Sequence, residues 1–106
     1  MPDPLLPRFD REGGTLKVTG DLHAVNERDL RREVEDLLES GEPPFVMDIT
    51  EVQYRGSSYV RLIAMAMLRV KDEGHDLTVR ATERTVRILE MGGLEKLGAI
   101  ETAPDA

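Results

Sequence analysis

The sequence predicts an α/β domain: a mixed, mostly parallel sheet of four to five strands, opened by an N-terminal hairpin strand and packed by three to four helices. Three observations predict it. Strand-like and helix-like segments alternate three times after the opening hairpin. The links between them are short, which favours right-handed crossovers onto one sheet. The length, 106 residues, suits one domain with a modest core, and with only 4% aromatics that core must be aliphatic and filled with Met.

Residues 1–7 carry three prolines and read as an extended lead-in. Residues 7–11 and 15–20 flank Glu12-Gly13-Gly14, a hairpin-like spacing with Gly where positive φ is needed. Leu16 and Val18 alternate with Lys17 and Thr19, so this second strand has one buried face. Asn26 is a suitable helix N-cap, and Asp29 three residues on can complete a capping-box-like pair. Leu30, Val34, Leu37 and Leu38 recur at helical spacing, and Gly41 with Pro43-Pro44 stops that helix.

The centre of the chain is residues 45–70. Phe45-Val46-Met47-Asp48-Ile49 reads as a buried strand, followed by a polar link ending in Gly56-Ser57-Ser58. A helix is expected over 57–73, rich in Leu, Met and Ala, with Val60, Ile63, Ala66, Met67 and Val70 on its core side. Ser57, Ser58, Arg61, Met65, Leu68, Arg69 and Asp72 fall on the opposite side. Gly74 ends the helix, with His75 favourably placed for its dipole. Residues 77–80 form a short strand, and Thr82 is a plausible N-cap. Val86, Leu89 and Ile88 form the apolar side of a third helix closed by Gly92-Gly93. One more helical turn is expected at 94–97, a last edge strand at 99–101, and a frayed tail at 102–106. The parallel part of the sheet is then 15–20, 45–49, 77–80 and 99–101.

Composition excludes several functions. A net charge of −7 argues against nucleic acid and anionic membrane surfaces. Without Cys there is neither a disulfide framework nor a thiolate metal site, and His23 and His75 lie in separate segments, so no metal or cofactor is expected. The N-terminus lacks a basic region followed by an apolar run, and the longest apolar stretch, 59–70, is short and interrupted by Arg61. A soluble, cytoplasmic protein without membrane insertion is expected.

In open α/β sheets, sites lie beyond the carboxyl ends of the strands. Ser57 has two compatible readings there. It can cap the helix, or it can accept a phosphate favoured by the helix N-terminus, changing the local charge by about −2. Asp48 invites a phosphoaspartate-receiver reading, but that chemistry needs further acids after an early strand and a Lys near a later strand end. Asp21 is a single acid, and Arg80 stands at the later strand end. Met65 and Leu68, apolar amid polar neighbours, either touch a nearby loop or form a partner surface.

Several segments together resemble the STAS domain of bacterial anti-sigma factor antagonists over residues 8–101. Leu16-Lys17-Val18-Thr19-Gly20-Asp21-Leu22-His23 is similar to the family's opening strand end, and Val46-Met47-Asp48-Ile49-Thr50-Glu51-Val52 to its "V-x-D-L-S-x-V". Val86-Arg87-Ile88-Leu89-Glu90-Met91-Gly92-Gly93-Leu94 is similar to its late "V-x-R-x-L-x-x-x-G-L". The resemblance implies a non-enzymatic binding switch whose partner is a serine kinase that is also an anti-sigma factor. Ser57 aligns with the family's phosphoacceptor. Asp21, His23, Gly56, Ser58, Tyr59, Arg61 and Met65 are the candidate partner-binding residues. The chain departs from the family's "D-S-x-G-L" with Gly56 for the acid, Tyr59 for the glycine and Arg55 for an apolar residue; His23 replaces an acid of the early motif. Tyr59 is thereby either an obstruction to a kinase cleft or a partner contact. A STAS adaptor docked on another machine, such as the ATPase of a lipid-transport ABC complex, is the alternative.

Overall fold

The structure is a computed structural model and describes residues 7–22, 24–54 and 58–103. Its five strands are β1 (Arg8–Glu12), β2 (Thr15–Leu22), β3 (Phe45–Tyr54), β4 (Leu77–Ala81) and β5 (Ile100–Thr102), in that spatial order. The helices are α1 (Glu27–Ser40), α2 (Ser58–Asp72) and α3 (Glu83–Met91), with 3-10 turns at Ala24–Asn26 and Leu94–Lys96. The hairpin strand β1 pairs antiparallel with β2, and the remaining pairs are parallel. The expected mixed sheet is therefore formed, with β3 at its centre.

Consecutive parallel strands joined by right-handed crossovers place all three helices on one face. Leu16, Val18, Phe45, Met47, Ile49, Leu77, Val79 and Ala81 point to that face and are buried. Leu30, Val34 and Leu37 of α1 meet them, with Leu62, Ile63, Ala66, Met67 and Val70 of α2 and Val86 and Leu89 of α3. Phe45 and Tyr59 are the core's aromatic members.

The alternate residues line the other face, and the register sets five of them in one row. Asp10 pairs with Lys17, Lys17 with Asp48, Asp48 with Arg80, and Arg80 with Glu101. The row alternates acid and base across all five strands. Cross-strand neighbours of opposite charge support each other, so it reinforces the register. Lys17 also pairs with Glu51 at 2.5 Å, and this contact holds its ammonium above the ordinary lysine range.

Two glycines fix the hairpin. Gly13 has φ +60°, as the turn requires. A Cβ on Gly14 would sit 2.1 Å from the Glu42 carbonyl oxygen and 2.5 Å from that of Pro44. Only glycine lets the hairpin press against the loop leaving α1, where the Val46 N–H donates to the Gly14 carbonyl at 2.9 Å.

Several boundaries differ from the sequence reading. β3 runs five residues beyond 49 because Glu51 to Tyr54 pair with the end of β2. The polar residues assigned to a link are the outward positions of that extension. Between the pairs Lys17–Asp48 and Thr19–Glu51, β3 contains one residue more than β2, a bulge. Asp48 stabilises it: its Oδ1 accepts from the Thr50 N–H at 2.9 Å and from the Thr50 hydroxyl at 2.7 Å. Asn26 and Thr82 precede α1 and α3 as expected, yet neither makes a side-chain capping hydrogen bond. Asn26 is buried in the preceding 3-10 turn, so the capping-box-like pair with Asp29 does not form. Ile88 is exposed, and Thr85 takes its place on the buried side of α3. Strand pairing reaches Thr102, and the Ala103 N–H donates to Ala81 at 2.8 Å, past the expected end at 101.

Candidate functional site

β2 and β3 end side by side, with Leu22 in register with Tyr54, and α2 opens at Ser58. Short parallel connections bring these ends to the carboxyl edge of the sheet, where the sequence placed its candidates. His23, Arg55, Gly56 and the candidate phosphoacceptor Ser57 lie outside the described residues. Ser58 is half-buried in the first turn of α2.

Two candidates for partner contact sit inside the fold. Asp21 is 2% exposed and Tyr59 3% exposed. Tyr59 is a core residue rather than an outward contact. Burial pushes its phenol above the ordinary tyrosine range, opposed by the charge of Arg84 on α3. The reason is packing geometry. α2 lies against the sheet with α1 and α3 beside it, so its buried arc is Tyr59, Leu62, Ile63, Ala66, Met67 and Val70. Val60, expected within that arc, is only half-buried and lies at its margin beside Gly92.

Arg61, Leu68 and Asp72 are exposed on the outer face of α2, as the helical spacing placed them. Arg61 is largely exposed and lies 3.6 Å from Glu27, which also pairs with Arg31 at 3.3 Å. Leu68 is 51% exposed. Met65 is half-buried, lining a groove between α1 and α2 with Val34, Ala66 and Arg69. Its neighbour is thus a helix, and the loop or terminus contact considered from sequence is not what meets it.

The strongest polar link between the two helices was not legible in the sequence. The Arg69 Nε donates to Glu35 Oε2 at 2.5 Å and its NH2 group to Oε1 at 2.9 Å, a two-pronged pair. Arg69 also donates to Glu73 at 2.6 Å. The guanidinium holds the Glu35 carboxyl below the usual carboxylate range. Glu35 and Arg69 are 34 positions apart in the chain, and no local pattern couples them.

Asp48, the sequence's receiver candidate, is occupied in the bulge. His75 stacks edge to face on Phe45, with ring centroids 5.3 Å apart. Among the described residues no group of three or more His, Cys, Asp or Glu is placed to hold a metal ion. Among them, too, no helix is long and apolar enough to cross a membrane.

A family model described as "Mlab, STAS domain" matches residues 5–100. The fold is similar to that of an anti-sigma factor antagonist from Mycobacterium paratuberculosis, seen in a crystal structure. The TM-score is 0.71 at 20% identity, covering 92% of this chain and 86% of that one. At that identity the likeness establishes the fold. No curated protein matches the sequence. With the family model spanning nearly the whole chain, this protein belongs to the STAS-domain family.

Proposed function

We propose that the protein is a cytoplasmic, non-enzymatic regulatory binding module of the anti-sigma factor antagonist type. Its partner is a kinase-type anti-sigma factor, and Ser57 is the residue through which binding is switched. The observation that carries this reading is the join between β3 and α2. Tyr54 closes the central strand and Ser58 opens the helix, so Ser57 is the residue before the helix in a STAS fold. Burial of Tyr59 supports it, because the side chain that replaces the family's glycine turns into the core. A phosphate at this position adds a charge of about −2, which a partner shaped to a neutral hydroxyl rejects.

The test is a pair of substitutions measured against the purified partner. Ser57→Asp is expected to abolish binding and Ser57→Ala to bind constitutively, with phosphopeptide mapping after co-expression with a kinase-type anti-sigma factor as the direct check. A residue that only caps the helix gives the opposite pattern. Asp then replaces Ser almost silently, and Ala costs about 1 kcal/mol of stability without altering partner choice.

A second reading has its own observation. The matching family model is that of the Mlab STAS domain, and Gly56 stands where the antagonist motif has an acid. Both favour an adaptor docked on another assembly, such as the ATPase of a lipid-transport ABC complex, without phosphorylation. Ser57 unmodified after co-expression, with a partner still bound, selects this reading.

A further inference from the structure

The outer face of α2 carries a stripe that neither the fold nor the serine switch explains. Arg61, Met65, Leu68 and Asp72 stand at positions i, i+4, i+7 and i+11. At 100° per residue they lie within about 60° of one another, diametrically opposite the buried arc. The order along the helix is cation, apolar, apolar, anion. These residues border a shallow hollow of about 550 Å³, with Arg31 of α1 at its cationic end. The terminal charges are loosely held. The Arg61 side chain is 74% exposed with Glu27 at 3.6 Å, and that of Asp72 is 82% exposed with Arg69 at 3.7 Å.

The spacing is symmetric about the midpoint between residues 66 and 67. If a second α2 is laid antiparallel over the first about that point, Arg61 meets Asp72 and Met65 meets Leu68, each pair occurring twice. A two-fold interface needs this self-complementarity, with the same patch serving both copies. A random amphipathic stripe does not provide it.

We propose that this face is the dimer interface of the protein, with the α2 helices of two copies packed antiparallel, Met65 and Leu68 at the centre and Arg61–Asp72 pairs at both ends. Arg61 to Asp72 spans about 16 Å of helix, three turns, so the contact is of the small, transient class. The charge of −7 on each copy opposes association and keeps it weak. The dimer covers Arg61 and Met65, two of the partner-binding candidates drawn from the sequence. Self-association and partner docking are therefore mutually exclusive, and the dimer is a resting form that the partner must open. The proposal does not depend on the identity of that partner or on Ser57, since purified protein alone tests it.

The experiment is sedimentation equilibrium over concentrations up to about 1 mM. Wild-type protein is expected to be in monomer–dimer exchange. Arg61→Glu and Asp72→Arg are each expected to weaken self-association about tenfold or more, because each reversal strikes two contacts. The combined Arg61→Glu, Asp72→Arg variant restores it to within about threefold of wild type, since the exchanged charges again face one another. All three variants sit on exposed positions, and unchanged thermal midpoints confirm the fold. Register is read separately, because the chain has no Cys of its own. A mixture of Met65→Cys and Leu68→Cys proteins should form the mixed disulfide in preference to either symmetric one. A monomer throughout the range overturns the proposal and leaves the stripe to a partner's helix. A dimer indifferent to the charge exchange, or one not recovered in the double variant, overturns it equally.

Discussion

The two faces of the sheet are built from the same strands and follow opposite rules. On β3, Met47 is fully buried under the helices, while its neighbour Asp48 belongs to the open face, between Lys17 and Arg80 in register. The covered face gains from removing apolar area from water, a term indifferent to direction. The open face is organised by sign. Its row Asp10, Lys17, Asp48, Arg80, Glu101 reads the same from either end. Stacking two such faces about a two-fold axis, along or across the row, sets acid on acid and base on base. That face is thus compensated within one copy and repels another. The stripe on α2 is the converse, antisymmetric in charge and suited to a second copy. A palindromic charge row keeps a surface in water, whereas an antisymmetric one invites pairing.

Truncating the two neighbours on β3 separates the two faces most strongly. Met47→Ala is expected to cost about 2–5 kcal/mol, the lost burial plus an incompletely collapsed cavity. Asp48→Ala should cost about 1–2 kcal/mol, through the two hydrogen bonds that hold the bulge at Thr50. Urea unfolding measures both, and equal costs would show that the faces do not differ as argued. The hairpin offers a milder version. Gly14→Ala forces a methyl onto two carbonyl oxygens of the loop after α1 and is expected to cost about 1–3 kcal/mol. At Gly13 a methyl meets nothing within 4 Å, so only the left-handed backbone opposes Gly13→Ala, at about 1 kcal/mol. If the two are indistinguishable, the close approach at Gly14 is not limiting.

The smallest effect is electrostatic and lies between α1 and α2. Arg69 lowers the Glu35 carboxyl below its unfolded value of 4.5, so the folded chain binds this proton less readily than the unfolded one. The stabilisation is fully present above that value and is lost as pH falls through the lower folded one. Because the Glu35 side chain is 42% exposed, the pair is worth at most about 1 kcal/mol. Thermal midpoints compared between neutral and acid pH should therefore fall slightly more for wild type than for Glu35→Gln. A variant with the same acid slope as wild type would remove Glu35 from the account.

The elements were legible where one local rule dominated. Alternation at Leu16 and Val18 marked β2, helical spacing from Leu30 to Leu37 marked α1, and Gly13-Gly14 and Gly92-Gly93 marked the turns. Reading failed where tertiary partners set the outcome. Residues 50–54 are polar enough to pass for a link, yet the end of β2 pairs 51–54 into the sheet. Tyr59 has no local feature that chooses inside from outside, and the space beside α3 draws it into the core. Asn26 carried a strong capping signal, but burial in a 3-10 turn supplied it with other surroundings.

Local pattern along the chain is enough for the kind and order of the elements, the apolar faces of β2 and α1, and the outward stripe on α2. Each of these follows from periodicities of two or 3.6 residues that any stretch of chain carries on its own. The length of β3, the inward turn of Tyr59, the Glu35–Arg69 pair and the charge row across five strands arise from packing instead. Those rest on residues far apart in sequence that share no local pattern, and they exist only once strand register and helix packing bring them together.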